Sequence, residues 1–169
     1  MSTDNVEKST NNSTNSHLLN FVEFSAVAQI ADVRLLHTAF SLKIEALDGN
    51  EHSGLPVRLI PEIEWDQDSG IATFKLKFDI QVGEEESPLY TQQAIYLVNF
   101  RLPNNAQAEE EAIEQFAKGT VLFAVYPYLR ELTQSSTTRA GIPPLTLGLF
   151  RPFPFRTYEA TKSDIPRSK

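Results

Sequence analysis

The sequence predicts an α+β fold, a four-stranded antiparallel sheet followed by a long helix. Three observations carry this. Residues 71–82 alternate apolar and polar side chains over a full strand length, residues 89–102 do so again after a short acidic loop, and from Glu109 the apolar spacing turns helical as far as Gly141. Strands first and helix last, with no alternation of the two, is the order of an α+β chain.

The elements follow in chain order. Residues 1–17 are rich in Asn, Ser and Thr and too poor in apolar side chains to offset the entropy of ordering, so they are expected to form a flexible tail. They lack the apolar core of a secretory signal, and the sequons at Asn11 and Asn12 read as chance in such a tract. Leu18 to Ile30 fits a short helix and an extended segment equally well. Between Asp32 and Ala46, Leu36, Phe40, Leu42, Ile44 and Ala46 lie mostly on one face, with Ser41, Lys43 and Glu45 on the other; this is the first strand, ended by Asp48, Gly49 and Asn50. A long connection, ALDGNEHSGLPV, leads to a second strand at Arg58 to Trp65, closed by the turn signal of Asp66 to Gly70.

The third strand, Ile71 to Val82, sets Ala72, Phe74, Leu76, Phe78, Ile80 and Val82 against Thr73, Lys75, Lys77, Asp79 and Gln81. One face is therefore buried and the other wet. Gly83 to Pro88, with Glu84, Glu85 and Glu86, forms an acidic hairpin loop. The fourth strand, Leu89 to Leu102, has Ala94, Tyr96, Val98, Phe100 and Leu102 on one face; Ile95 and Leu97 on the other imply that part of this second face is covered too. Pro103, Asn104 and Asn105 break it, and Glu109, Glu110 and Glu111 suit the positive end of a helix. Ile113, Phe116 and Ala117 form a narrow apolar stripe before Gly119, and Val121, Phe123, Ala124, Tyr128, Leu129 and Leu132 continue it. Pro127 removes a backbone donor, which predicts a kink or restart there; Gly141 supplies the stop, with Pro143 and Pro144 beyond.

Composition narrows the function. A length of 169 residues suits one domain with a modest core, and 41% hydrophobic content is that of a globular chain. A net charge of −7 excludes nonspecific attraction to nucleic-acid phosphates and anionic lipid, which need clustered Lys and Arg. With no cysteine there is no disulfide framework or thiolate chemistry, as suits a reducing cytoplasm. No stretch approaches the length of a membrane span.

Nor do the residues suggest catalysis. His17, His37 and His52 have no partner at metal-ligand spacing. Glu62, Glu64, Asp66 and Asp68 share a strand face, but catalytic carboxylates need a cleft and separated pKa values, so a solvated face is the better reading. The glycines are scattered at turns and form no phosphate loop, and Trp65 reads as core. Neither an enzyme nor a cofactor is expected.

The order of elements, the segment VYPYLREL and the TRAGIPPLTL after it resemble the SecB family of protein-export chaperones. The shared features are Pro127 and Tyr128 followed by Arg130 and Glu131, then a turn built on Arg139, Gly141 and Pro143. The resemblance spans Asp32 to Phe150. It implies a small sheet backed by a long helix, assembled as a dimer of dimers, that holds unfolded or precursor polypeptides without ATP. It further implies client contact in the connection, at Leu47, Leu55 and Val57, and along and after the helix, at Tyr126, Leu129, Ile142, Leu145, Leu147 and Leu149. Phe150, Phe153 and Phe155, interleaved with Pro152 and Pro154, add an extended aromatic segment able either to line a groove or to dock on its own sheet.

Contact with the export motor SecA is implied at Glu45, whereas Ser41 and Gln93 stand where acids are expected. The end departs from the family as well. Residues 18–150 carry 9 basic and 18 acidic side chains, while residues 151–169 carry 5 basic, 2 acidic and three prolines in place of an acidic end. The chain thus divides into a tail at 1–17, a SecB-like domain at 18–150 and an extended basic tail at 151–169. The reading is an ATP-independent holdase, possible delivery to the translocase included; the alternative is a dedicated protector of a single client such as an antitoxin.

Overall fold

The computed structural model describes residues 18–43, 56–148 and 160–162. The segment that fits both patterns is a helix, α1, Phe21–Val27. Asn20 decides this: its side chain accepts from the Val22 and Glu23 amides while Glu23 reaches back to the Asn20 amide, a complete capping box. Ala28 is already extended, and β1 starts at Gln29. Phe24 is the one buried residue of α1 and meets Phe116 edge-on at 4.6 Å between ring centroids.

The sheet contains β1 (Gln29–Leu42), β2 (Val57–Asp68), β3 (Ile71–Glu84), β4 (Ser87–Arg101) and a short β5 (Ala160–Lys162), in the order β1-β4-β3-β2-β5. The first four pair antiparallel, whereas β5 runs parallel to β2. β3 lies between β2 and β4, and its alternation is realised: Ala72, Phe74, Leu76, Phe78 and Ile80 are buried. β4 follows suit with Ala94, Tyr96, Val98 and Phe100, and Leu102 just beyond it is buried too. Pro61, lacking an amide donor, is tolerated because β2 has β3 on one side only at that point. Gly70 closes the β2–β3 turn with φ of +77°, a conformation in which any other residue is strained, and a Cβ there would press to 2.9 Å from Asn105 Oδ1.

The wet face of the sheet holds the acidic row. Lys75 pairs with Glu64 at 3.0 Å, and Lys77 with Glu62 at 3.2 Å and Asp79 at 3.0 Å. Cross-strand lysines therefore disperse these carboxylates into an ion-paired ladder.

The helical region is one rod in three parts: α2 (Glu110–Phe116), a π turn (Ala117–Val121) and α3 (Leu122–Arg139). This corrects the sequence reading twice. α3 continues through Pro127, which is exposed, so the irregularity lies at the π turn around Gly119 instead. The buried stripe is also rotated by one residue. After Ala112, Ile113, Phe116 and Ala117, an unbroken α-helix would turn Thr120, Val121, Ala124 and Tyr128 inward; the π turn takes up one extra residue and presents Val121, Leu122, Val125 and Leu129. Tyr128 consequently faces outward, and Phe123 is exposed as well. α3 ends as predicted: Gly141 has φ of +79°, its amide donates to Thr138 O, and the Ile142 amide donates to Thr137 O, a Schellman motif.

A third correction concerns β1. Register places Ile30, Val33, Leu35, Phe40 and Leu42 opposite Phe100, Val98, Tyr96, Gln92 and Tyr90, hence on the helix side of the sheet. Yet Leu36 and Phe40, read as sharing one apolar face, are about half exposed, as are Ile30 and Leu35, and Leu36 falls at the bulge between Leu35 and His37. β1 is an edge strand, and the helical rod packs over its neighbours rather than over it. Ile44 and Ala46 lie outside the described residues.

Candidate functional site

Among the described residues, no three His, Cys, Asp or Glu are placed to hold a metal, and His37 is exposed on β1. His17 and His52 lie outside the described residues. What the fold does build is apolar surface at two places, the chain after α3 and a strip on β1, and a separate depression with a charged rim at the start of β2.

The first is the chain after α3. The Leu145 amide donates to Thr137 Oγ1 at 2.9 Å, and Tyr126 Oη donates to Gly148 O at 2.6 Å, so residues 142–148 run back along the helix they have just left. Thr133 and Thr137 can be buried beneath this return because their hydroxyls donate to the carbonyls of Leu129 and Thr133. Leu147 fills the core, while Leu145 and Ile142 are only partly covered. Tyr126 is half buried, which pushes its hydroxyl pKa up, against a smaller opposing effect of the Arg130 charge. Val57, exposed at the start of β2, sits in a separate depression with Pro56, Gln81 and Gly83, rimmed by Arg58, Glu84 and Glu85. The Arg58 guanidinium holds the Glu85 carboxyl below the usual carboxylate range.

The second is the strip on β1. Phe40 stacks on Tyr90 at 6.3 Å between centroids, and Phe40 lines a shallow depression of about 350 Å³ together with Ile80, Thr91 and Gln92. Tyr90 donates to Gln92 Oε1 at 2.7 Å, leaving the buried Gln92 Nε2 without a partner among the described residues. Burial pushes the Tyr90 hydroxyl up to about 12; burial, with a smaller contribution from the Glu131 charge, does the same for Tyr96.

The predicted contact residues thus separate. Leu129 and Leu147 are core residues with 0% and 3% exposure and offer no surface, which corrects their assignment as client contacts. Val57, Tyr126, Ile142 and Leu145 present surface, with Val57 apart from the other three. Leu47, Leu55, Leu149, Phe150, Phe153, Phe155 and Glu45 lie outside the described residues, as does the 1–17 tail. Ser41 is exposed on β1, and Gln93 donates to Asp79 Oδ1 at 2.9 Å, so an acid does stand beside that position. The β1 strip was missed because alternation marks a face as apolar without saying which strand the helix will cover. Among the described residues, no helix is long and apolar enough to cross a membrane.

No known protein-family profile matches the chain, and no curated protein matches it either. Solved structures do. A protein of unknown function from Streptococcus agalactiae overlaps at a TM-score of 0.44 with 10% identity, over 72% of this chain and 97% of that one, too distant to support a conclusion. Much nearer is the Mycobacterium tuberculosis SecB-like chaperone Rv1957, solved in complex with a ChAD peptide from the HigA1 antitoxin Rv1956. It superposes at a TM-score of 0.65 with 26% identity, covering 78% of this chain and 96% of that one. The chain has a SecB-like fold, α+β, with its antiparallel sheet followed by the long helix.

Proposed function

We propose that this chain is an ATP-independent chaperone that acts by binding polypeptide segments rather than by catalysis, and that it serves a dedicated client of the antitoxin kind. The observation that carries the proposal is the SecB-like fold shared at 26% identity with a chaperone that holds an antitoxin peptide. The surface agrees with it. Large apolar side chains stand exposed on the edge strand, and the chain after α3 leaves Ile142 and Leu145 partly open beside Tyr126. Copies of the chain meet along the β1 strip in a homo-oligomer, a dimer of dimers by resemblance, and Val57, Tyr126, Ile142 and Leu145 remain for the client. A dedicated role is favoured over delivery to SecA because Ser41 and Gln93 stand where acids are expected. The protein works in the cytoplasm.

Affinity capture of the tagged full-length chain from its own cell extract tests this. A dedicated chaperone retains one dominant polypeptide and suppresses that polypeptide's aggregation near equimolar ratio without nucleotide. Retention of many secretory precursors together with SecA would return the export reading, and failure to protect any captured or model client would remove the chaperone reading.

A further inference from the structure

β5 is a short feature in an unusual place. It pairs in parallel with the outer edge of β2, Ala160 beside Ile63, Thr161 beside Glu64 and Lys162 beside Trp65. β2 makes twelve residue pairs with β3 on its other side but only these three with β5, and the remainder of its outer edge has no strand partner among the described residues. Pro61, which has no amide to donate, stands just before the paired stretch. An edge of this kind accepts an extended chain through its own backbone groups, whatever that chain's origin.

Side chains at the same place select what is accepted. Lys162 Nζ lies 5.5 Å from the centroid of the Trp65 ring and donates to Glu110 Oε1 at 2.5 Å, so one ammonium is held by an aromatic face and by a carboxylate on the first turn of α2. Trp65 is only 1% exposed with β5 in place, and its indole N–H has no acceptor among the described residues, a donor that a peptide carbonyl can satisfy. Charge acts in the same direction, because the segment supplying β5 is basic and the body receiving it is acidic.

We propose that the outer edge of β2 at Ile63–Trp65, with Trp65 and Glu110, is a strand-acceptor site for an extended polypeptide segment bearing a lysine or arginine, and that residues 160–162 are its resident, replaceable occupant. The proposal deepens the polypeptide-binding reading and rests on it for biological meaning, while the site itself is tested without any client.

Trp65 is the only tryptophan in the chain, so intrinsic fluorescence reports on the site directly. In the full-length protein, Lys162→Glu removes the cation from the ring and repels Glu110, and Thr161→Pro disturbs the β5 backbone. Loss of a cation–π contact together with an exposed ion pair shifts docking roughly three- to tenfold toward the undocked strand. Acrylamide quenching of Trp65 then rises in both variants and its emission moves to the red, with far-UV circular dichroism unchanged. A synthetic peptide of residues 156–166 added to the Thr161→Pro protein restores protection, and the same peptide carrying Lys162→Glu does not. Unchanged quenching in both variants, or equal rescue by the two peptides, overturns the proposal. Aggregation suppression by the wild-type chain, measured separately, reports on the chaperone reading and is independent of whether β5 can be displaced.

Discussion

Replacing Leu129 by alanine separates a core residue from a client contact at the position where the two readings differ most. Leu129 has no exposed surface and lies midway along α3, with Val125 and Thr133, both buried, one turn to either side. Removing its side chain beyond Cβ forfeits burial worth about 1.5–3 kcal/mol for a whole leucine, and the hole left behind adds to that. The surroundings cannot close the hole easily, because the rod is held by packing on both sides of the π turn and by the returning chain, whose Leu145 amide is tied to Thr137. The expected loss is therefore in the upper half of the range for such replacements, about 3.5–5 kcal/mol. Denaturant unfolding at fixed protein concentration measures it, read as a lower midpoint with unchanged slope. Tyr128→Ala is the internal control: at 54% exposure it should alter stability by no more than about 0.5 kcal/mol. A loss below about 1 kcal/mol for Leu129→Ala, accompanied by a large fall in client binding, would refute the placement of Leu129 in the core.

Three other outcomes follow from the same structure. Tyr90 and Tyr96 ionise at about 12 when folded against an ordinary value of 10.0, so the unfolded chain loses these protons first. Their contribution is complete below pH 10 and is lost as pH rises through 12; Tyr96→Phe should flatten this alkaline fall in a melting series, and an unaltered slope would contradict it. Asn20→Ala removes the capping oxygen of α1 and should cost about 0.5–2 kcal/mol in denaturant unfolding, with Asn20→Asp nearly neutral. Light scattering at micromolar concentration should give a mass above that of one 19.0 kDa chain, and Leu35→Glu combined with Phe40→Glu should reduce it; a monomeric wild type would contradict burial of the β1 strip between copies.

Most of the sheet is legible in the sequence because burial on one side writes a period of two into residues 71–102, and β3 and β4 carry it almost without exception. The Gly141 stop is legible for a similarly local reason, a positive φ that only a few residues tolerate. What escapes is set by tertiary placement. Most large apolar residues of β1 do share a face, with Leu36 at a bulge, but their exposure depends on where the rod crosses the sheet. The phase of α3 depends on one extra residue in a π turn, for which the run Lys118, Gly119, Thr120 carries no signal beyond a glycine. β5 is three residues long and too short for any period, so only the edge it docks on reveals it. Of the candidate contacts, Leu129 and Leu147 show the limit most plainly, since an apolar residue beside a groove and one beneath it look the same in sequence.

The π turn also makes the rod unevenly sensitive to changes in chain length. Because the surplus residue is already accommodated between Ala117 and Val121, deleting Gly119 would convert the turn to ordinary α-helix and leave Phe116 and Ala117 on one side, and Leu122 and Val125 on the other, all still directed at the sheet. The same deletion one turn into α3 would swing every following side chain by about 100° and bring Arg130 to the place of Leu129. Around Gly119, then, the protein contains a splice point at which a residue can be lost without reorienting either half of the helix, and the surfaces carried by α3 can persist in chains one residue shorter.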